Sequence, residues 1–256
     1  MNQVVVITGA SSGIGAALAE LLGSKGARLA LAARRGPELA AVAARAGAQA
    51  LAVTADVTRR EEVARIAEEC LARHGRIDVW INNAGRGISR SVLELSDQDF
   101  DDMMTVNVKS ALYGMQVAVP IFRRQNSGHL INVSSVLGRV PIAPFRSAYS
   151  AAKHALNSLT ANLRMDLRAE PTIFVSTVHP GVVATEFGAH ALYGGPDSRQ
   201  LAGAQSAAEV AEVLASVIAE PRADVYTRPQ AKQLVLSYYG AEDMADAERK
   251  PPFWSP

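Results

Sequence analysis

The feature that most constrains this chain is a regular alternation. Short, wholly apolar β-branched runs are separated by longer Ala/Leu-rich stretches of helical period. The strand candidates are residues 4–8 (VVVIT), 29–33, 50–54, 77–81, 129–134, 173–178 and 224–227. Helical patterns cover residues 14–25, 37–46, 59–74, 97–125, 147–169 and 206–219. Strands that are apolar throughout are covered on both faces, and strand–helix alternation with such strands builds a parallel sheet between two helical layers. The predicted fold is α/β, a Rossmann-type doubly wound, mostly parallel sheet of about seven strands with helices on both faces. Ser96 is placed to cap the helix at 97–125, and Pro120 predicts a kink or interruption within it.

No linker, repeat or composition break divides the 256 residues, so one domain is expected over 1–256, with 48% hydrophobic residues to fill its core. Lys and Arg number 26 against 25 Asp and Glu, a net charge of +1 that argues for neither nucleic acid nor an anionic membrane as partner. The single cysteine, Cys70, allows no disulfide within the chain. No basic leader or long apolar span precedes the first strand, and a cytoplasmic protein is expected. His74, His129, His154, His179 and His190 are scattered without ligand spacing, so no metal is expected. The closing residues, about 246–256, differ in composition from the body and read as a tail.

Three stretches carry chemistry. TGASSGIG (8–15) follows the first strand and opens the first helix; Gly9, Gly13 and Gly15 permit a tight turn and close approach of a pyrophosphate. Ser11, Ser12 and Ile14 belong to the same cradle. At the end of the second strand Ala33 stands where an acid for the ribose of NAD would be expected, and Arg34 and Arg35 follow. Two guanidiniums suit a 2′-phosphate, so NADP is favoured over NAD, with Glu38 as the residue that could instead reach a ribose hydroxyl. In YSAAK, Tyr149 and Lys153 share a helix face. An ammonium beside a phenol favours the phenolate and makes the tyrosine a stronger acid.

In order and in register, TGASSGIG, the Asp of ADV (Asp56), NNAG (82–85), the Asn of VNV (Asn107), VSS (133–135), YSAAK and HPGVVAT (179–185) resemble the short-chain dehydrogenases/reductases. The resemblance runs from residue 4 to about 186. It implies that Asp56, followed by Val57, contacts the adenine, and that Asn82, Ala84 and Gly85 line the ribose side while Asn83 braces the sheet. It implies that Pro180, Gly181, Val183 and Thr185 hold the nicotinamide carboxamide. Ser135 takes the place of the catalytic serine, with one extra residue before Tyr149 than the family usually has, and Ser134 is a possible second contact.

The reaction so implied is hydride transfer between NADP(H) and a carbonyl or secondary alcohol. Tyr149 is the general acid/base, Lys153 tunes it and bonds the ribose, Ser135 bonds the carbonyl oxygen, and Asn107 holds a relay water. A non-catalytic NADP-binding redox sensor, or an epimerase or dehydratase, are the alternatives on this fold. The substrate pocket is expected from Arg86, Ser89, Val136 to Phe145 and the loop at about 186–205, whose apolar composition suggests an apolar or aromatic carbonyl compound. Excess apolar residues on the helices at 97–125 and 147–169 predict a homodimer or homotetramer.

Overall fold

The computed structural model describes residues 2–253. Seven parallel strands form one sheet in the order β3-β2-β1-β4-β5-β6-β7. They are β1 (Val4–Thr8), β2 (Arg28–Ala33), β3 (Ala50–Thr54), β4 (Val79–Asn82), β5 (Gly128–Val133), β6 (Ile173–His179) and β7 (Asp224–Tyr226). The order reverses between β1 and β4, and at such a switch point the diverging connections leave a crevice at the carboxyl ends of the strands.

Period-two alternation divides the core. Val5 and Ile7 of β1 face the layer of α1 (Gly13–Ser24), α2 (Gly36–Ala46) and α7 (Ala207–Ala219). Val4 and Val6 face the layer of α3 (Arg60–His74), α5 (Ser110–Gln125) and α6 (Ser147–Asp166). Trp80 and Phe122 are fully buried in that second layer. Cys70 is buried there too, where desolvation pushes its thiol up to about 12, as befits a packing residue rather than a nucleophile.

The region 97–125 departs from one continuous helix. It divides into α4 (Asp97–Met104), a π-turn at Thr105–Lys109, and α5. Ser96 caps α4 as expected, accepting from the Asp99 amide while Asp99 returns a bond to the Ser96 backbone. The interruption falls at the π-turn instead of at Pro120, which stays inside α5. Pro120 is exposed, so water can satisfy the carbonyl that its ring leaves without an amide.

Beyond β7 lie two helices absent from the expected pattern, α8 (Pro229–Tyr239) and α9 (Met244–Glu248). Only Val235 and Tyr238 of α8 are buried, packing with Val136 and Val140. Phe253 packs on the Tyr238 ring, with centroids 5.1 Å apart; residues 254–256 of the expected tail lie outside the described residues. Among the described residues no helix is long and apolar enough to cross a membrane.

Candidate active site

The crevice begins at the glycine turn. Gly9 (φ +68°) and Gly13 (φ +56°) adopt left-handed backbone that other residues rarely take. A Cβ on Gly9 would lie 2.8 Å from the Ala84 Cα, and one on Gly15 would run into the Gly9 carbonyl. Asn83 donates to the carbonyls of Thr8 and Gly9, so it braces the turn against β4, the role expected of it. Ser12 stands at the N-cap of α1 without bonding the helix amides, which leaves the first N–H groups open to an anion. Thr185 lies over this helix start, its methyl 3.2 Å from where a Gly13 Cβ would be. The bare glycines, uncapped amides and overlying threonine fit a dinucleotide pyrophosphate.

Arg35 folds back over the turn and donates to Ser12 Oγ at 2.7 Å and to Ser11 Oγ at 3.2 Å. Glu38 approaches Arg35 at 4.0 Å, a loose ion pair that draws it toward the guanidinium. Arg34 is exposed and has no partner among the described residues. Asp56, at the end of β3, accepts from both the amide and hydroxyl of Thr58, a local turn that fixes its carboxylate. Val57 beside it is buried.

The side chains of two expected site residues are committed elsewhere, which leaves their backbones for the expected contacts. The side-chain amide of Asn82 donates to Ala111 O and Asn132 Oδ1 while its carbonyl accepts from Trp80 Nε1 at 2.8 Å. That buried network leaves only its backbone for a cofactor. Asn107 sits in the π-turn and is 1% exposed; its amide donates to Arg86 O and Met103 O, and its carbonyl accepts from Arg86 N. A relay water would therefore have to bond its backbone. The wider turn of a π-bulge disrupts the usual ladder and makes such bonding available. Ala84 and Gly85 run past these groups, and a Cβ on Gly85 would meet Asn107 Oδ1 at 2.8 Å and Lys153 Nζ at 3.7 Å.

Ser135, Tyr149 and Lys153 converge at the end of β5 and the start of α6, all three buried. Lys153 Nζ donates to the Val133 carbonyl at 2.9 Å and lies 5.7 Å from the Tyr149 ring centroid. Ser135 caps a short turn by accepting from the Leu137 amide, and its side chain lies within reach of the phenol, lowering its pKa. Ser134 Oγ is buried without a hydrogen-bond partner among the described residues. In place of the expected lowering of Tyr149 by Lys153, burial pushes the phenol up to about 12, opposed by the Ser135 hydroxyl and the Arg146 charge, and pushes the ammonium down to about 8. Desolvation penalises the charged form of each. Pro180 is tied to this cluster, its carbonyl accepting from Val136 N, and Val183 pairs with Gln205. Gly181 has open space where a Cβ would stand.

The segments expected to form the substrate pocket are knitted together. Leu192 donates to Gly87 O and Ser89 to Leu192 O, Ser89 Oγ donates to Gly194 O at 2.6 Å, and Arg90 donates to Phe145 O at 2.8 Å. Two residues that the motifs do not mark also stand here. Phe187 packs edge-on to the Tyr149 ring, centroids 5.4 Å apart, and the Arg146 guanidinium is buried one helical turn before the tyrosine. The spacing from Arg146 to Tyr149 was the available signal, but it cannot separate a solvated arginine from a buried one.

With this geometry the comparisons with known proteins agree. Residues 3–192 match the short chain dehydrogenase family, and the chain belongs to the short-chain dehydrogenases/reductases. It is 40% identical over 192 residues to an uncharacterized oxidoreductase of Staphylococcus saprophyticus, covering 74% of this chain and 77% of that relative. A short-chain dehydrogenase/reductase from Burkholderia phymatum, solved in complex with NAD, superimposes with a TM-score of 0.87 at 30% identity, over 100% of this chain and 97% of that one. An alcohol dehydrogenase from the archaeon Thermococcus sibiricus, complexed with 5-hydroxy-NADP, gives 0.77 at 28% identity, over 88% and 96%. The family is one of oxidoreductases that bind a nicotinamide cofactor, and relatives carry either the phosphorylated or the unphosphorylated form.

Proposed function

We propose that this protein transfers a hydride between NADP(H) and a carbonyl compound or the corresponding secondary alcohol. The observation that carries this reading is the buried convergence of Ser135, Tyr149 and Lys153 beside the glycine turn at the switch point of the sheet. The bound nicotinamide supplies or accepts the hydride. Tyr149, protonated at neutral pH, hands a proton to the oxygen as charge develops there, and Ser135 holds that oxygen by a hydrogen bond. Lys153, held against the Val133 carbonyl, supplies positive charge next to the phenol and a donor for the ribose. In alcohol oxidation Tyr149 takes the proton instead.

NADP preference rests on Arg34 and Arg35, the first exposed and without a partner among the described residues, the second poised over Ser11 and Ser12. Asp56 serves the adenine, and Thr185 and the Pro180–Val183 backbone serve the carboxamide. The substrate is a small apolar or aromatic carbonyl compound, received between Phe187, Leu192 and the Val136–Phe145 segment. The protein works in the cytoplasm as a homodimer or homotetramer. Support for assembly comes from Met104, Leu112, Val117, Leu159, Ala161 and Leu163, which stay half-buried on the long helices, with Phe100 and Met165 exposed. The test is a panel of ketones mixed with protein and either NADPH or NADH, followed by loss of nicotinamide absorbance. Turnover with NADPH on at least one ketone is expected. Binding of the cofactor with no turnover on any of them would instead favour a sensor.

A further inference from the structure

Arg146 is an unusual residue to bury. It is 8% exposed, and among the described residues no carboxylate lies within ion-pair distance of it. A buried guanidinium without a counter-charge is unfavourable unless its surroundings fix it and something nearby gains from its charge. Its surroundings do fix it. Nη1 donates to Ile88 O at 3.2 Å, and the cation lies 5.1 Å from the centroid of the Phe145 ring. Glycines give it room: a Cβ on Gly87 would stand 3.0 Å from Nη1, and one on Gly195 would stand 2.8 Å from Nη2. The guanidinium thus occupies a seat lined by the 87–90 segment on one side and the 187–195 loop on the other.

What gains from the charge is Tyr149. The two residues are three apart at the start of α6, with Arg146 at the N-cap. Tyr149 and the Nη1 seat also share the Phe187 ring, which packs on the phenol and would lie 3.1 Å from a Gly87 Cβ. The arginine's field opposes the effect of burial on the phenol. The other groups around the phenol are few. Lys153 lies on its own helix, the Ser135 hydroxyl comes from the connection after β5, and Ile88, Met103 and Phe187 are uncharged. Arg90 and Asp99, from the neighbouring segment and α4, are committed to each other and to Tyr193. Arg86, Asp97, Asp101, Asp102, Glu186 and His190 are exposed, and His179, behind Ser135, bonds Asp224.

We propose that Arg146 is a positioning residue for Tyr149: a guanidinium that keeps permanent positive charge beside the phenol, held in place by the glycine-lined segments on either side of it. The proposal rests on Tyr149 being the acid/base of the reaction. It gives the two cations different duties. Lys153 is buried enough to lose its proton within the working range, whereas the Arg146 guanidinium, lowered by burial from a far higher ordinary value, keeps its charge across that range.

The test is the pH profile of secondary-alcohol oxidation with NADP+, where the deprotonated phenol is the active form, on the best alcohol from the substrate panel. A positive charge close to an acid holds its pKa down by about one unit or more, so Arg146→Gln should move the limb to higher pH by about one unit. The rate on the limb should then fall about tenfold, with the rate at high pH and the NADP+ Kd close to the parent's. A purely structural arginine would lower the rate equally at every pH without moving the limb, and that result in a Gln variant that still binds NADP+ overturns the proposal. If the Gln variant does not bind NADP+, the absorbance titration of the Tyr149 phenol in the cofactor-free protein decides, read against Tyr149→Phe in each background: a phenol that titrates about one unit higher in the Gln variant supports the proposal, and an unmoved one overturns it. Tyr149→Phe is run alongside; if it keeps the parent rate and limb, the assignment of Tyr149 itself has failed, and the arginine result is not the cause.

Discussion

Lys153 Nζ lies 5.7 Å from the centroid of the Tyr149 ring, with one of its three donors on the Val133 carbonyl at 2.9 Å. The ammonium is therefore anchored to the end of a central strand, and the phenol is one helical turn away on the same face. Removing either group should have a different signature. Tyr149→Phe should lower turnover by roughly the 10²–10⁴ of a lost acid catalyst and leave NADPH binding nearly unchanged. Lys153→Met should weaken both. Stopped-flow turnover and fluorescence titration of NADPH measure the two effects separately, and a Phe variant with full turnover would contradict the assigned role.

The cofactor preference has its own test. Replacing Arg34 and Arg35 by Ala should weaken NADPH by about 1.5–3 kcal/mol for each charged hydrogen bond lost and barely alter NADH. The Kd ratio of the two cofactors before and after the change is the measurement. A parent protein that prefers NADH would point to Glu38, which the structure holds 4.0 Å from Arg35.

His129, in β5, makes stability depend on pH. Its ring is buried against Ser176 Oγ at 2.8 Å, and burial pushes its pKa down to about 4 from the ordinary 6.5. The unfolded chain takes up the proton first as pH falls, so the stabilisation present above about 6.5 is lost progressively down to about 4, by about 3 kcal/mol in all. Urea midpoints at pH 7 and pH 4.5 should differ strongly in the parent. His129→Gln should reduce the difference; an unchanged difference would place the acid sensitivity elsewhere.

Gly114 lets α5 lie close against β4. A Cβ there would collide with Asn82 Oδ1 and the Trp80 indole nitrogen. Gly114→Ala should cost about 1–3 kcal/mol through overpacking and the strained Trp80–Asn82 bond, despite the better helix propensity of alanine. Denaturant melts read the loss directly, and a more stable variant would show that the helix can retreat.

Assembly is tested by sedimentation at micromolar concentration. A species larger than 27.1 kDa is expected, and Ala161→Arg on the half-buried face of α6 should split it. A parent that sediments as a single 27.1 kDa species would remove the oligomer.

Much of this molecule was legible from pattern. Doubly covered strands announce themselves as apolar runs, and all seven appear within two residues of the expected bounds. The glycine turn and the Tyr149–Lys153 pair were legible because tight backbone approach and helical spacing each demand particular residues. The π-turn at Thr105–Lys109 was not, since its one extra residue leaves the apolar pattern of 97–125 unbroken. Helix α8 escaped because it buries only two side chains, too narrow a stripe to stand out, although Pro229 and Gly240 mark its ends. Asn82 and Arg146 show the deeper limit. Their surroundings are built by Trp80, Asn132, Gly87 and Gly195, partners brought together from distant parts of the chain.

The backbone pairing of Ile88 with Leu192 has a practical consequence for engineering. Residues 187–195 do not form a free-standing loop that can be exchanged for one from a relative, because their register is read off the 87–90 segment through Gly87, Ser89 and Leu192. A chimera that imports one segment alone would leave these amides and carbonyls mismatched beside Tyr149. A graft meant to reshape this side of the crevice therefore has to carry both segments together.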